Sequence, residues 1–224
     1  MTLQEFDLEF DALYNNISSN QAPGLNAYEK SIFLTQAQEA YVVGIYNGSV
    51  GGPFEGNEEV ITYLSPLVEQ SVLTEFAEEG DKSFGGSSVF VSLPEDIWFK
   101  TGETAVIQDD TLICGDTRQR TVDVVPVTQD DWYRTVNSPF RTSNERRVLR
   151  MDPAGDIVEL YSKYPIIKYI VRYLRKPKPI ILENLTDGLT INGEFGPSEC
   201  ELNPVLHRPI LKAAVELAKA AWAA

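Results

Sequence analysis

The sequence predicts an α+β fold, and three observations carry that prediction. Apolar residues recur at helical spacing through roughly the first 68 positions. From Ser88 the pattern changes to the two-residue alternation of strands and holds it to Arg175. Helical spacing then returns from Asn203 to the end. The expected arrangement is an N-terminal helical hairpin or bundle, an antiparallel β region with one short inserted helix, and a C-terminal helix packing back. The chain divides on this reading into an acidic helical region, 1–80, and a β region plus C-terminal helix, 81–224, forming one structural unit. A length of 224 residues with 43% hydrophobic and 10% aromatic content suits a folded chain with a sizeable core.

The first helix follows from Leu3, Phe6, Phe10, Leu13 and Ile17, one apolar stripe of about four turns. Residues 18–24 end it. Asn26 reads as an N-cap with Glu29 as capping-box partner, and the helix behind it puts Ile32, Phe33, Ala37, Ala40 and Tyr41 on one side. A loop follows at 47–53. A third helix begins near Asn57, with Glu58 and Glu59 at its positive end. Its apolar side is Ile61, Leu64, Leu67 and Val68, and Pro66 kinks or ends it. Residues 70–87 read as an irregular connection.

Strands are predicted at 89–93 and 97–107 around the turn Pro94-Glu95-Asp96. Asp109-Asp110 signals another turn, with a short return strand at 111–114. Residues 118–127 alternate well. Thr128 reads as the cap of a short helix, with Asp131 in the capping-box position and Trp132, Tyr133 and Val136 along it. Residues 146–151 and 156–161 form a hairpin about Asp152-Pro153-Ala154-Gly155. In the last helix Asn203 caps, Pro204 takes the first helical position, and Leu206, Ile210, Ala214, Leu217 and Ala221 share a side.

The segment 165–182 is the strongest strand signal. Ile167, Tyr169, Val171 and Tyr173 line a core face; Ile166, Lys168, Ile170, Arg172 and Leu174 line the other. Pro177 and Pro179 cannot donate to a ladder, so pairing should stop near Arg175. Arg172, Arg175, Lys176 and Lys178 form the densest basic cluster of the chain, either a solvated strand end or a contact with an acidic neighbour.

Net charge is −14 and unevenly placed. Residues 1–80 hold 13 carboxylates against one cation, Lys30, whereas residues 146–224 hold 9 acidic and 12 basic side chains. An acidic head repels nucleic acid, which excludes sequence-specific DNA binding by 1–80. No apolar run approaches the roughly 18 residues of a membrane span. Two cysteines without a Cys-x-x-Cys pair or a secretory segment point to synthesis in a reducing cytoplasm.

Little in the chain advertises catalysis. His207, the single histidine, reads as a surface or capping residue at the start of a helix. Cys114 reads as a small core residue, and one histidine with two distant cysteines does not make a zinc site. Asp109-Asp110 and Asp130-Asp131 suit a turn and a helix start better than an acid/base couple. No Gly-Lys-Ser/Thr follows the glycines of 48–52, so no phosphate cradle is expected. The expectation is a non-enzyme with no catalytic residue, metal or cofactor.

Blocks of sequence in fixed order carry a resemblance. They are Glu5-Phe6, Phe10-Asp11 and Leu13-Tyr14-Asn15-Asn16; Ser19-Asn20-Gln21-Ala22-Pro23-Gly24-Leu25; Tyr28-Glu29-Lys30-Ser31; and Phe54-Glu55-Gly56. Leu93-Pro94-Glu95-Asp96-Ile97-Trp98-Phe99, Val125-Pro126-Val127-Thr128-Gln129-Asp130 and Asn137-Ser138-Pro139-Phe140 follow. The last are Tyr173-Leu174-Arg175-Lys176-Pro177-Lys178-Pro179-Ile180, Glu199-Cys200-Glu201-Leu202 and Leu206-His207. The chain thus resembles small virion structural proteins of crAss-like gut bacteriophages, similar in layout to adaptor or gatekeeper rings joining portal to tail. The resemblance implies a dodecameric ring at the head–tail junction, made in the host cytoplasm. Its partners would be its own copies, the portal protein and neighbouring tail or ring proteins, with genomic DNA passing through unread. Competing readings are a tail hub or minor capsid protein, and a carboxylate-dependent hydrolase.

Overall fold

A computed structural model of the chain describes residues 1–15, 24–50, 56–77, 88–108, 118–186 and 188–223. The Asp109-Asp110 turn, the strand at 111–114, Cys114 and most of the 18–24 loop lie outside these residues. The described chain is α+β: five α-helices and a curled, mixed sheet of seven strands. It divides into two compact units, residues 1–67 with 176–224, and residues 68–175. The expected division at residue 80 thus differs from the observed one. The terminal helix groups with the N-terminal helices, and the sheet region is one uninterrupted stretch.

In the first unit, α1 (Leu3–Asn15) buries Phe6, Phe10 and Tyr14. Helix α2 (Ala27–Tyr46) starts with the expected capping box: the Glu29 N–H donates to Asn26 Oδ1 at 2.8 Å and the Asn26 N–H to Glu29 at 2.9 Å. Its buried face is not the expected one. Ile32, Phe33 and Tyr41 are only partly covered and Ala40 is exposed, while Leu34, Ala37, Val42 and Ile45 are buried together with Ser31, Thr35 and Gln38. These polar residues satisfy an extended segment at 178–182. Gln38 Nε2 donates to the Lys178 carbonyl at 2.8 Å, the Ile180 N–H to Thr35 Oγ1 at 3.1 Å, and the Leu182 N–H to Ser31 Oγ at 3.1 Å. Positions 31, 35 and 38 lie on one helical face, so they meet alternate residues of an extended chain.

Helix α3 (Glu58–Leu64) is capped by Asn57, which accepts from the Glu59 N–H. Pro66 lies in a single 3₁₀ turn, Ser65–Leu67, after which the chain becomes a strand, so Val68 belongs to no helix. Helix α5 (Pro204–Ala223) packs on α1 and α2. It buries Leu206, Ile210, Leu211, Ala214, Val215 and Ala218, whereas Leu217 and Ala221, expected inside, are exposed. Asn203 Oδ1 accepts from the Val205 N–H at its start.

The second unit contains β1 (Val68–Leu73), β2 (Ser88–Ser92), β3 (Ile97–Gln108), β4 (Gln119–Pro126), β5 (Arg147–Ala154), β6 (Ile157–Tyr161) and β7 (Ile166–Arg175). Their spatial order is β1-β7-β3-β4-β5-β6-β2. Strand β7 follows its sequence in part: Tyr169, Val171 and Tyr173 are in the core and pairing ends at Arg175, but Ile167 is only partly covered and Leu174, expected on the other face, is fully buried as well. Strand β1, which pairs with β7, falls where the sequence suggested only irregular chain. The sheet is mixed, because β4 and β5 run parallel. That corrects the antiparallel expectation, since alternation reports burial and is blind to strand direction. A parallel pair needs a long crossover, and the segment 127–146, with the short helix α4 (Trp132–Val136), supplies it. Asp131 stands at the N-cap of α4 but makes no side-chain cap bond, and Thr128 is not the cap.

Beyond β1, Ala77 exchanges both backbone hydrogen bonds with Phe90 of β2, at 2.9 and 2.7 Å. That bridge ties the chain beyond β1 to the β2 edge, and the sheet curls around Val91, Ala105, Ile107, Val122, Val148, Leu160, Tyr169 and Val171. Register shifts along the long strand β3 bend it to fit. At the β5–β6 turn Gly155 takes φ +62°, a region that glycine enters without a Cβ penalty.

An ionic group is embedded in this curled sheet. Arg150 pairs with Glu103, Tyr169 donates its hydroxyl to Glu103 at 2.6 Å, and Arg150 also reaches Asp152 at 3.3 Å. The Arg150 and Glu103 side chains are 10% and 9% exposed. Burial first, then the Glu103 charge, keeps the Tyr169 phenol protonated far above its ordinary range. Removing one partner strands a buried charge. Glu103→Leu should therefore lose about 3–5 kcal/mol in urea unfolding, and Glu103→Leu/Arg150→Met clearly less. Equal losses for both variants would contradict the pairing.

Candidate functional site

The residues singled out for chemistry are placed in structural roles. His207 is 5% exposed, which corrects the surface expectation. Its Nδ1 accepts from the Met1 amino group at 2.7 Å, so Nε2 carries the proton that it donates to the Leu202 carbonyl at 3.0 Å. Phe6 packs against the ring at 5.5 Å. Burial, above all, pushes its pKa below the ordinary histidine value, and the Met1 charge acts in the same direction. Both ring nitrogens are occupied by structural partners, so the imidazole is not poised as a general base. The Cys200 thiol is pushed up to about 11, chiefly by burial, and so is protonated at neutral pH and a weak nucleophile. Among the described residues no group of histidine, cysteine and carboxylate side chains could hold a metal ion. No helix among them is long and apolar enough to cross a membrane.

The basic cluster is split by its neighbours. Arg175 Nε pairs with Glu69 of the adjacent strand at 2.9 Å, within the sheet unit. Glu69 and Asp96 also accept from the Tyr173 hydroxyl, at 3.4 and 3.2 Å, and burial together with these carboxylates raises that phenol to about 12. Lys176 pairs with Glu39 of α2 at 3.1 Å, within the helical unit. Arg172 and Lys178 are exposed and make no side-chain ion pair with the described residues. Lys178 is held through its backbone, which bonds Gln38 and Glu201. Two of the four cations therefore stabilise the chain they belong to, and two remain available to a neighbour.

Sequence reasoning missed a second exposed surface. The β4–β5 crossover carries Arg134, Arg141 and Arg146 together with Asp130, Asp131 and Glu145. It also exposes Tyr133 and Phe140. The arginine and aromatic residues were visible in the sequence, but their exposure was not, because a five-residue helix is too short to show which side is packed. Val125, Pro126, Asp131, Thr135, Arg141 and Arg147 help line an indentation of about 320 Å³.

Comparison with known proteins places the chain in a family. The family model described as phage tail ring protein 3/4 matches residues 1–224. Ring protein 3 of Bacteroides phage crAss001 is 46% identical over 221 residues, covering 97% of this chain and 95% of that protein. Ring protein 4/5 of the same phage is 37% identical over 235 residues, covering 99% and 94%. The chain belongs to the phage tail ring protein 3/4 family, the ring proteins of crAss-like phages.

Proposed function

We propose that this chain is a non-enzymatic subunit of a homododecameric ring that connects portal to tail at the head–tail junction and lines the DNA exit channel. Membership of the ring protein family is the observation that carries the reading. A closed ring needs a heterologous interface, in which one patch meets a different patch on the next copy. Segregated charge, acidic in 1–80 and basic toward the C-terminus, suits such contacts. An excess of 14 negative charges also suits a channel wall, because phosphates that are repelled slide past instead of adhering. On this reading Arg172, Arg175, Lys176 and Lys178 belong to a contact with an acidic neighbour, with Arg172 and Lys178 as the members free to make it.

Two experiments test these statements. A localised cryo-electron microscopy reconstruction of the phage's portal vertex should place the protein in twelve copies on the portal axis. Copies scattered on the capsid, or a single copy per particle, would contradict the ring. Reversing the free cations, Arg172→Glu with Lys178→Glu, should leave the melting temperature within about 2 °C, since exposed charges contribute about 0–1 kcal/mol. Incorporation into particles should fall, and its salt dependence should flatten. Wild-type incorporation at low ionic strength would reduce the cluster to a solvated surface.

A further inference from the structure

Asparagine followed by glycine occurs twice in the chain, at Asn47-Gly48 and at Asn192-Gly193. A glycine in that place has no Cβ to screen its amide nitrogen, so the nitrogen can attack the side-chain amide before it. Whether it does depends on what else the nitrogen bonds and on how much structure must open first.

At Asn47-Gly48 the fold opposes attack. Asn47 caps the C-terminal end of α2, and four successive N–H groups are bonded there. Asn47 donates to the Val43 carbonyl at 2.9 Å and Gly48 to the Ile45 carbonyl at 3.1 Å. Ser49 and Val50 both donate to the Gly44 carbonyl, at 2.8 and 3.1 Å. The Val50 side chain lies over Gly44. The Gly48 nitrogen is therefore engaged, and freeing it means unwinding a helix end.

At Asn192-Gly193 neither obstacle is present. The two residues form the tip of a hairpin in which Ile191 and Glu194 exchange backbone bonds at 2.9 and 3.0 Å. Asn192 at φ +51° and Gly193 at φ +87° are both left-handed, the turn for which this dipeptide is preferred. Both residues are exposed, and the Gly193 N–H makes no hydrogen bond with the described residues. Nothing stands within 4 Å of where a Gly193 Cβ would be. Opening the tip costs two exposed hydrogen bonds and no buried contact of its own two residues. One side-chain bond ties the tip to the helical bundle: Asn192 Nδ2 donates to Glu39 Oε1 of α2 at 2.8 Å. Glu39 is shared with Lys176, at 3.1 Å.

We infer that Asn192 is a site of spontaneous deamidation that unties the hairpin from α2. The Gly193 nitrogen attacks Asn192 Cγ; a nitrogen–Cγ bond forms and the Cγ–Nδ2 bond breaks. Nδ2 leaves as ammonia, carrying the proton that the Gly193 nitrogen gives up. Water then opens the five-membered imide at either carbonyl, which leaves an aspartate or an isoaspartate. One water is consumed and one ammonia released, with no oxidant or cofactor. The product places a carboxylate where the donor to Glu39 stood, so an attractive contact becomes a repulsive one. The isoaspartate form also lengthens the backbone of the turn, which the Ile191–Glu194 pair cannot accommodate in its present register.

The two dipeptides provide an internal comparison. Peptide mapping by mass spectrometry, on the full chain held folded in warm, mildly alkaline buffer, should show Asn192 converting about tenfold or more faster than Asn47. In urea, where local structure is gone, the two should convert at similar rates. Conversion at Asn47 as fast as at Asn192 in the folded chain, or none at Asn192, overturns the inference. Asn192→Asp tests the consequence, since the exposed site leaves the fold intact. Its Ile191 and Glu194 amides should exchange with solvent about tenfold faster than in wild type. Asn192→Asp/Glu39→Gln, which restores a donor to the carboxylate, should return the exchange to the wild-type rate. Unchanged exchange in Asn192→Asp overturns the untying.

Discussion

Apart from the Ile181–Ser198 bridge, the backbone of residues 178–182 has to be satisfied away from any strand, and the helical unit is built around that requirement. Pro177 and Pro179 offer no N–H, so this stretch cannot continue the ladder of β7. Ile180 and Ile181 are nonetheless fully buried, and buried peptide groups without partners are costly. Helix α2 resolves the conflict by presenting Ser31, Thr35 and Gln38 inward. With Leu34, Ala37, Val42 and Ile45 on the same broad face, α2 both covers the apolar side chains and bonds the polar backbone. The bond of Ser31 to the Ala27 carbonyl holds its oxygen in position.

The sheet unit solves a comparable problem by curling. A seven-stranded sheet has two edges with unpaired backbone groups, an invitation to unwanted pairing. The Ala77–Phe90 bridge covers part of the β2 edge, and the inside of the curl is filled by aliphatic side chains plus the Glu103, Arg150 and Tyr169 group.

What was legible in the sequence was what local physics decides. The Asn26–Glu29 capping box depends on residues three apart and was found where expected. The core positions Tyr169, Val171 and Tyr173 and the end of β7 follow from alternation and two prolines. What was illegible depended on distant partners. The inward polar face of α2 has no local cause, because its acceptors and donors lie about 140–150 positions away in the chain. His207 looked like a surface residue because its partners, Met1 and Phe6, come from the other end of the chain. The direction of β5 was hidden because period-2 alternation is the same in either direction, although a helix-bearing crossover was a clue. Of the four cations marked as a contact, the sequence could not show that Arg175 and Lys176 already have carboxylates of their own.

The central structural claim is that side chains of α2 stand in for a β-partner at Lys178, Ile180 and Leu182, while Ile181 bridges Ser198 on the other side. Amide hydrogen exchange tests it most directly. The Ile180 and Leu182 amides should be protected to the level of the α2 core, and Thr35→Val should speed exchange at Ile180 while leaving β3 and β4 unchanged. Exchange of the wild-type Ile180 amide at the rate of an unstructured peptide would contradict the account.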